Sequence, residues 1–117
     1  MKDRTYDTFL EDIVNSIEKI ERFTKSMDFV SFEDNELVRD AVIRNIEIIG
    51  EASKNIPENI RNENPLINWK GMIGLRNVVS HGYFGIDYSI IWQVITRNLS
   101  SAKPLLIELL KRTKDSR

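Results

Sequence analysis

The sequence predicts an all-α protein, an antiparallel bundle of four or five helices. Apolar residues recur at three- and four-residue steps along most of the chain, which is the spacing of one helix face. Residues that favour helix N-caps precede these runs, and no stretch shows the sustained alternation typical of a β-strand. The chain has 117 residues, 41% of them hydrophobic and 30% charged, so we expect one domain that spans residues 1–117.

The first helix is predicted from an apolar stripe close to the N-terminus. Its members are Tyr6, Leu10, Ile13, Ile17, Ile20 and Phe23. Asp3 or Thr5 is a candidate cap for its start. After this helix, the link from Met27 to Phe32 carries enough apolar side chains to pack against a core.

The second helix is predicted to start near Asp34 or Asn35, both of which are good N-caps. Its apolar positions are Val38, Ala41, Val42, Ile46, Ile48, Ile49, Ala52 and Ile56. A face this wide predicts burial on more than one side of the helix. Pro57 should end the helix, and the polar connector from Pro57 to Pro65 has room for one or two short turns.

A third helix is predicted from Trp69 to about His81, with Asn68 as its cap. Gly71 and Gly74 inside it each cost about 1 kcal/mol relative to alanine, so we expect that they allow close approach to another backbone.

The last helix is predicted to begin after Asp87, which can cap it. Its apolar positions recur with heptad-like spacing: Ile91, Ile95, Leu99, Ala102, Leu106 and Leu109. Pro104 removes one backbone donor and crowds the carbonyl of Ser100, so we expect a kink or a split there.

The charge is unevenly distributed along the chain. The formal net charge is −1, which argues against a bulk nucleic-acid coat. By count, residues 1–75 carry 10 Lys and Arg against 15 Asp and Glu, whereas residues 76–117 carry 7 against 3. A solvated basic tail accounts for four of these seven cations: Lys111, Arg112, Lys114 and Arg117.

The composition limits the classes of site and the compartment. The absence of cysteine excludes disulfides, thiol catalysis and Cys-ligated zinc, and it fits the cytoplasm. The charged N-terminus is not a signal peptide, and no apolar run is long enough to span a membrane. With one histidine and no Gly-rich phosphate loop before a helix, we expect no metal site and no cofactor.

The most informative stretch runs from Arg76 to Tyr83 and contains the only histidine, His81. Histidine exchanges protons near neutral pH, and arginine presents a planar fork that fits phosphate. At about 100° per residue, Arg76, Asn77, Ser80 and His81 share one arc of the third helix. These groups suit phosphodiester cleavage that uses proton transfer and charge stabilisation and needs no metal.

Each of these residues also has a simpler explanation. A histidine near a helix C-terminus is favoured by the helix dipole. Arg76 taken alone is explained by a surface position or an ion pair, and Tyr83 by a half-buried ring with its hydroxyl in water. Asn77 and Ser80 can be polar residues close to a helix end.

The stretch from Arg76 to Tyr83 resembles the Arg-(four residues)-His-X-Tyr motif of HEPN ribonucleases, specifically that of HepT toxins. Flanking blocks in the same order support this resemblance: Ile48-Ile49-Gly50-Glu51-Ala52, Asn68-Trp69-Lys70, Ile86-Asp87 and Ile91-Trp92. The similarity covers most of the chain, from about Asn35 to Leu110.

The resemblance implies a metal-independent RNA endonuclease toxin that forms a helical homodimer, with the active cleft between the motif helices of two subunits. It also implies a nucleotidyltransferase antitoxin of the MntA type, in a type II or type VII-like pair, that transfers AMP to Tyr83. His81 would then be the general acid or base and Arg76 would stabilise charge on the phosphate. Asn77 and Ser80 would have supporting roles. A non-catalytic binding partner of a nucleotidyltransferase and a purely structural bundle remain the alternatives.

Overall fold

The structure, a computed structural model, describes residues 5–79 and 85–116. All secondary structure within these two ranges is helical, which confirms the predicted all-α class. The helices in chain order are α1 (Tyr6–Phe23), α2 (Phe29–Asp34), α3 (Glu36–Lys54), α4 (Glu58–Glu63), α5 (Trp69–Ile73), α6 (Leu75–Val79), α7 (Tyr88–Gln93) and α8 (Leu99–Asp115), with a π-helical segment, Val94–Asn98, between α7 and α8. Helix α2 overlaps the predicted link from Met27 to Phe32, and α4 lies in the predicted connector from Pro57 to Pro65. The described residues therefore contain more helical segments than the four or five expected.

The core follows the apolar stripes predicted from the sequence. Helix α1 packs against α3 and α8, and their facing side chains are almost completely buried. These buried residues include Leu10, Ile13, Ile17, Ile46, Ile49, Leu99 and Leu106. Among the described residues, no helix is long and apolar enough to cross a membrane.

Ion pairs on the outside of the core connect the first helix to the last. Lys103 Nζ of α8 lies 2.6 Å from Glu21 Oε1 of α1, and this hydrogen bond raises the pKa of Lys103. Near the other ends of the same helices, Lys114 Nζ lies 3.0 Å from Glu11 Oε1. Lys111, Arg112 and Lys114 are exposed, as predicted, but α8 continues to Asp115 and so holds them on a helix, whereas Arg117 lies outside the described residues.

The link between the first two long helices forms α2, which places one aromatic side chain in the core. Phe32 is completely buried, and its ring centroid lies 5.2 Å from that of Trp92 and 6.3 Å from that of Tyr88. The expectation that this link packs against the core is therefore confirmed. Val30 of the same helix is 64% exposed, so α2 is buried on one side only.

Three of the predicted N-caps are confirmed by their hydrogen bonds. The side-chain oxygens of Asn35, Asn68 and Asp87 accept backbone N–H donors of α3, α5 and α7. The side-chain hydrogen bond from Ser89 also lowers the pKa of Asp87. Thr5 occupies the N-cap position of α1 without a side-chain cap bond, and Asp3 lies outside the described residues.

The predicted third helix is interrupted at Gly74, which separates α5 from α6. The expectation that Gly71 and Gly74 allow another backbone to approach is wrong. A Cβ atom on Gly71 would lie 2.5 Å from the side-chain nitrogen of Asn68, and one on Gly74 would lie 3.2 Å from the carbonyl oxygen of Lys70. Both glycines therefore relieve contacts within their own helical segment. The predicted end of this helix near His81 lies outside the described residues.

Pro104 does not split the last helix, contrary to one of the two outcomes expected for it. Helix α8 runs through Pro104 without interruption, and the irregular segment lies upstream, at the π-helical residues Val94–Asn98. Both Pro104 and Ser100 are exposed, so the carbonyl that loses its helical donor is on the solvent side of α8.

The close approach of two backbones occurs at Gly50, in the C-terminal third of α3. A Cβ atom there would lie 2.8 Å from Arg76 Cγ and 3.3 Å from the Arg76 backbone nitrogen. Both distances are shorter than an ordinary van der Waals contact. The absence of a side chain at residue 50 therefore lets α6 pack directly against α3.

We predict that Phe32→Ala lowers the free energy of unfolding by about 3–5 kcal/mol, because it removes a buried ring and leaves a cavity. Val30→Ala, on the same helix, should change it by less than about 0.5 kcal/mol because Val30 is exposed. Urea denaturation followed by circular dichroism measures both values. Equal losses for the two variants would contradict the packing of α2 described above.

We predict that Gly50→Ala lowers the free energy of unfolding by up to about 2 kcal/mol. Overpacking costs about 1–3 kcal/mol, and the better helix propensity of alanine offsets about 1 kcal/mol of this. Exposed Lys54, near the end of the same helix, provides the control variant Lys54→Ala in the same denaturation experiment. A Gly50→Ala variant more stable than the wild type would show that α6 can move away from α3 at no cost.

Candidate active site

Two of the five residues singled out from the sequence are described by the structure. Arg76 and Asn77 lie on α6, whereas Ser80, His81 and Tyr83 lie outside the described residues. The predicted shared arc of Arg76, Asn77, Ser80 and His81 is therefore tested only at its N-terminal end.

Helix α6 has a polar side and an apolar side, as the helical spacing predicts. Arg76 and Asn77 are exposed, whereas Leu75 and Val79 are buried against the core, as is Met72 of α5. The apolar residues fix the rotation of α6 about its axis. Arg76 and Asn77 must then face outward, on the side where the polar arc was predicted.

The position of Arg76 is set by α3 as well as by its own helix. The Cγ atom of Arg76 is next to Gly50, so the first part of the side chain lies on the surface of α3. At its far end, Arg76 Nη1 lies 3.0 Å from Glu51 Oε2, an ion-pair distance. The simpler explanation of Arg76 as an ion-pair arginine is thus correct in part, and the pair keeps the guanidinium beside α3.

Glu51 and Gly50 were not identified as site residues from the sequence, although both belong to one of the flanking blocks. A glycine in the middle of a broad apolar helix face was the available signal, because it costs helix stability unless something packs closely against it. The partner of Glu51 could not be read from the sequence, since Arg76 is 25 positions further along the chain.

An open cleft of about 380 Å³ lies beside the ion pair, between α1, α3 and α6. Its lining consists of Phe9, Asp12, Arg44, Glu47, Ile48, Glu51, Ala52, Asn55 and Arg76. Two arginines and three carboxylates give this lining a formal charge of 2 − 3 = −1. The binding of an anion in the cleft would therefore depend on directed hydrogen bonds from the arginines and not on an overall positive field.

Arg76 retains the capacity to bind an anion while it is paired. Arginine has five N–H donors in a planar fork, and a single carboxylate cannot take up all of them; the ion pair with Glu51 is made through Nη1. The side chains of Arg76 and Glu51 are 50% and 57% exposed, so water and ligands can reach the guanidinium. Such an exposed pair contributes little to fold stability.

Within residues 5–79 and 85–116, no three His, Cys, Asp or Glu side chains are grouped so that they could hold a metal ion. The carboxylates of the cleft are thus not arranged as a metal centre. The expectation of no metal and no cofactor for the whole chain stays a prediction.

A family model and several known proteins match most of the length of this chain. The model of the HepT-like family, described as "Ribonuclease HepT-like", matches residues 13–112. A Methanocaldococcus jannaschii protein named "Putative RNase MJ1380" is 43% identical over 88% of this chain and 94% of its own length. A Thermococcus cleftensis protein named "Probable ribonuclease HepT" is 40% identical over 92% of this chain and 98% of its own.

A more distant relative covers the same region. A Caldanaerobacter subterraneus protein named "Putative RNase TTE0752" is 32% identical over 95% of this chain and 99% of its own length. No solved structure matches the chain. The family match and the coverage of these relatives agree with the resemblance that the motif suggested, and the chain belongs to the HepT-like ribonuclease family.

Proposed function

We propose that this protein is a metal-independent endoribonuclease and the toxin of a type II or type VII-like toxin–antitoxin pair in the cytoplasm. The observation that carries the proposal is Arg76, which α6 and α3 hold at an open cleft five residues before the only histidine. Membership of the HepT-like ribonuclease family supports the same conclusion. The catalytic residues are Arg76 and His81, with Asn77 and Ser80 in supporting roles.

RNA supplies its own nucleophile for this reaction. The 2′-oxygen forms a bond to phosphorus while the bond from phosphorus to the 5′-oxygen of the next nucleotide breaks. One proton leaves the 2′-hydroxyl and one proton reaches the departing 5′-oxygen, and His81 serves as base or acid in these transfers. Arg76 stabilises the negative charge that builds on the non-bridging oxygens.

A homodimer completes this mechanism. One histidine per chain is short of a separate acid and base, and two subunits with facing motif helices provide two histidines. In this proposal each subunit is one antiparallel helical bundle over residues 1–117, and the active cleft lies between the subunits.

The partner proposed for the toxin is a nucleotidyltransferase antitoxin of the MntA type, which modifies Tyr83 with AMP. The phenol oxygen attacks the α-phosphorus of ATP, pyrophosphate leaves, and a base in the partner takes the phenolic proton. The added phosphate and nucleoside would bring negative charge and bulk close to Arg76, where they compete with the RNA backbone.

Two observations favour a second candidate function, a non-catalytic helical partner of a nucleotidyltransferase. The ion pair with Glu51 and the net negative lining of the cleft both reduce the attraction of this surface for RNA. Wild-type protein that binds the nucleotidyltransferase tightly but does not cleave RNA would select this second function.

We predict that His81→Ala and Arg76→Ala each reduce RNA cleavage in EDTA by about 100-fold or more, because proton transfer and charge stabilisation contribute on that scale. Gel analysis of labelled RNA measures the rates. The melting curve of Arg76→Ala should match that of the wild type, since Arg76 is exposed and its ion pair contributes little to stability. Arg22→Ala, which removes an exposed arginine from α1, is the matched control and should cleave normally.

The mechanism is wrong if the His81→Ala protein cleaves RNA at the wild-type rate in the presence of chelator.

We predict that incubation with the cognate nucleotidyltransferase and ATP adds AMP to Tyr83. Intact-mass spectrometry should show AMP-sized additions on the wild type and none on Tyr83→Phe. Tyr88→Phe is the control, because Tyr88 packs against Phe32 and Arg39 and should not affect the modification. Additions that persist on Tyr83→Phe would place the modification elsewhere.

We predict a homodimer in solution at micromolar concentration, because the proposed mechanism needs a histidine from each subunit. Sedimentation equilibrium measures the mass directly. A monomer under these conditions would count against a shared active cleft.

A further inference from the structure

We propose that Glu51 is a positioning residue that holds the guanidinium of Arg76 at the edge of the cleft, ready to bind an anion. This inference rests on the proposed function for its effect on RNA cleavage. Arg76 is contacted at two points by adjacent residues of α3: Gly50 at its Cγ atom and Glu51 at Nη1. Both the start and the end of the side chain therefore lie against α3, although half of it is exposed to solvent.

Fixing an exposed arginine matters because its long side chain otherwise samples many rotamers. A guanidinium that is already oriented loses less conformational entropy when it binds phosphate in the transition state. Glu51 occupies one part of the planar fork, so the remaining N–H groups point along directions that the ion pair determines. Since the pair is exposed, its contribution is to the orientation of Arg76 and not to the stability of the fold.

Glu51 also has an effect of opposite sign, because its carboxylate repels the phosphates of RNA. Both partners of the pair are in contact with water, where the repulsion between charges is weak and salt screens it further. A loss of orientation, in contrast, can slow a positioned reaction severely. We therefore expect that removal of Glu51 slows cleavage instead of accelerating it.

The first test is the single-turnover rate of RNA cleavage at saturating RNA. Glu51→Ala should be slower by about tenfold or more. Glu51→Gln should fall in between, because its amide oxygen still accepts a hydrogen bond from the guanidinium. Asp40→Asn, which removes an exposed carboxylate of α3 outside the cleft, is the control and should keep the wild-type rate.

A double-variant comparison separates positioning from repulsion. If Glu51 acts through Arg76, Glu51→Ala should have no further effect on the residual rate of Arg76→Ala. If Glu51 only repels RNA, its removal should raise the rate in both backgrounds. A Glu51→Ala protein at or above the wild-type rate, or an equal loss in both backgrounds, would overturn the inference.

The second test does not depend on cleavage. The Nε–Hε signal of Arg76 in NMR spectra of arginine-labelled protein is assigned by its absence from Arg76→Ala. This signal should move in Glu51→Ala and stay in place in Asp40→Asn. An unmoved signal in Glu51→Ala overturns the inference. A signal that moves in a protein whose wild type does not cleave RNA supports the positioning by Glu51 and overturns the proposed function alone.

Discussion

The contact between α3 and α6 at Gly50 is the constraint on which the candidate site depends. It brings the backbone of Arg76 close enough to α3 for the arginine to cross that helix and reach Glu51. The buried residues Leu75 and Val79 fix the other side of α6, so the short helix cannot rotate without exposing them. A helix of five residues would have little stability alone, and its position therefore comes from these tertiary contacts.

Features that depend on neighbouring residues were predictable from the sequence. The helix caps at Asn35, Asn68 and Asp87 involve donors only two or three residues away, and the core stripes follow from helical periodicity. Features that depend on distant residues were not. The sequence predicts that a glycine allows close helix packing but assigns this role to Gly71 and Gly74, because the apolar face around Gly50 does not show which helix packs against it.

In the candidate site, too, local features were predictable from the sequence and features that depend on distant residues were not. Its outward-facing residues, Arg76 and Asn77, were predicted because the apolar residues of the same helix define which side faces the core. The contribution of Glu51 required knowledge of which helix α6 packs against. Pro104 shows the limit of a local rule, since the helix tolerates the lost hydrogen bond on its solvent side.

The contacts between α1 and α8 have a consequence for synthesis of the protein. Helix α1 is synthesised before α8, yet it packs against α8 as well as α3, and Glu11 and Glu21 form ion pairs with Lys114 and Lys103 of α8. The core therefore cannot close until α8 has emerged and docked against α1. Arg76 emerges before α8 and belongs to an unfinished fold until α8 docks. A nascent chain would thus gain the fully packed fold around the candidate site only after α8 has emerged.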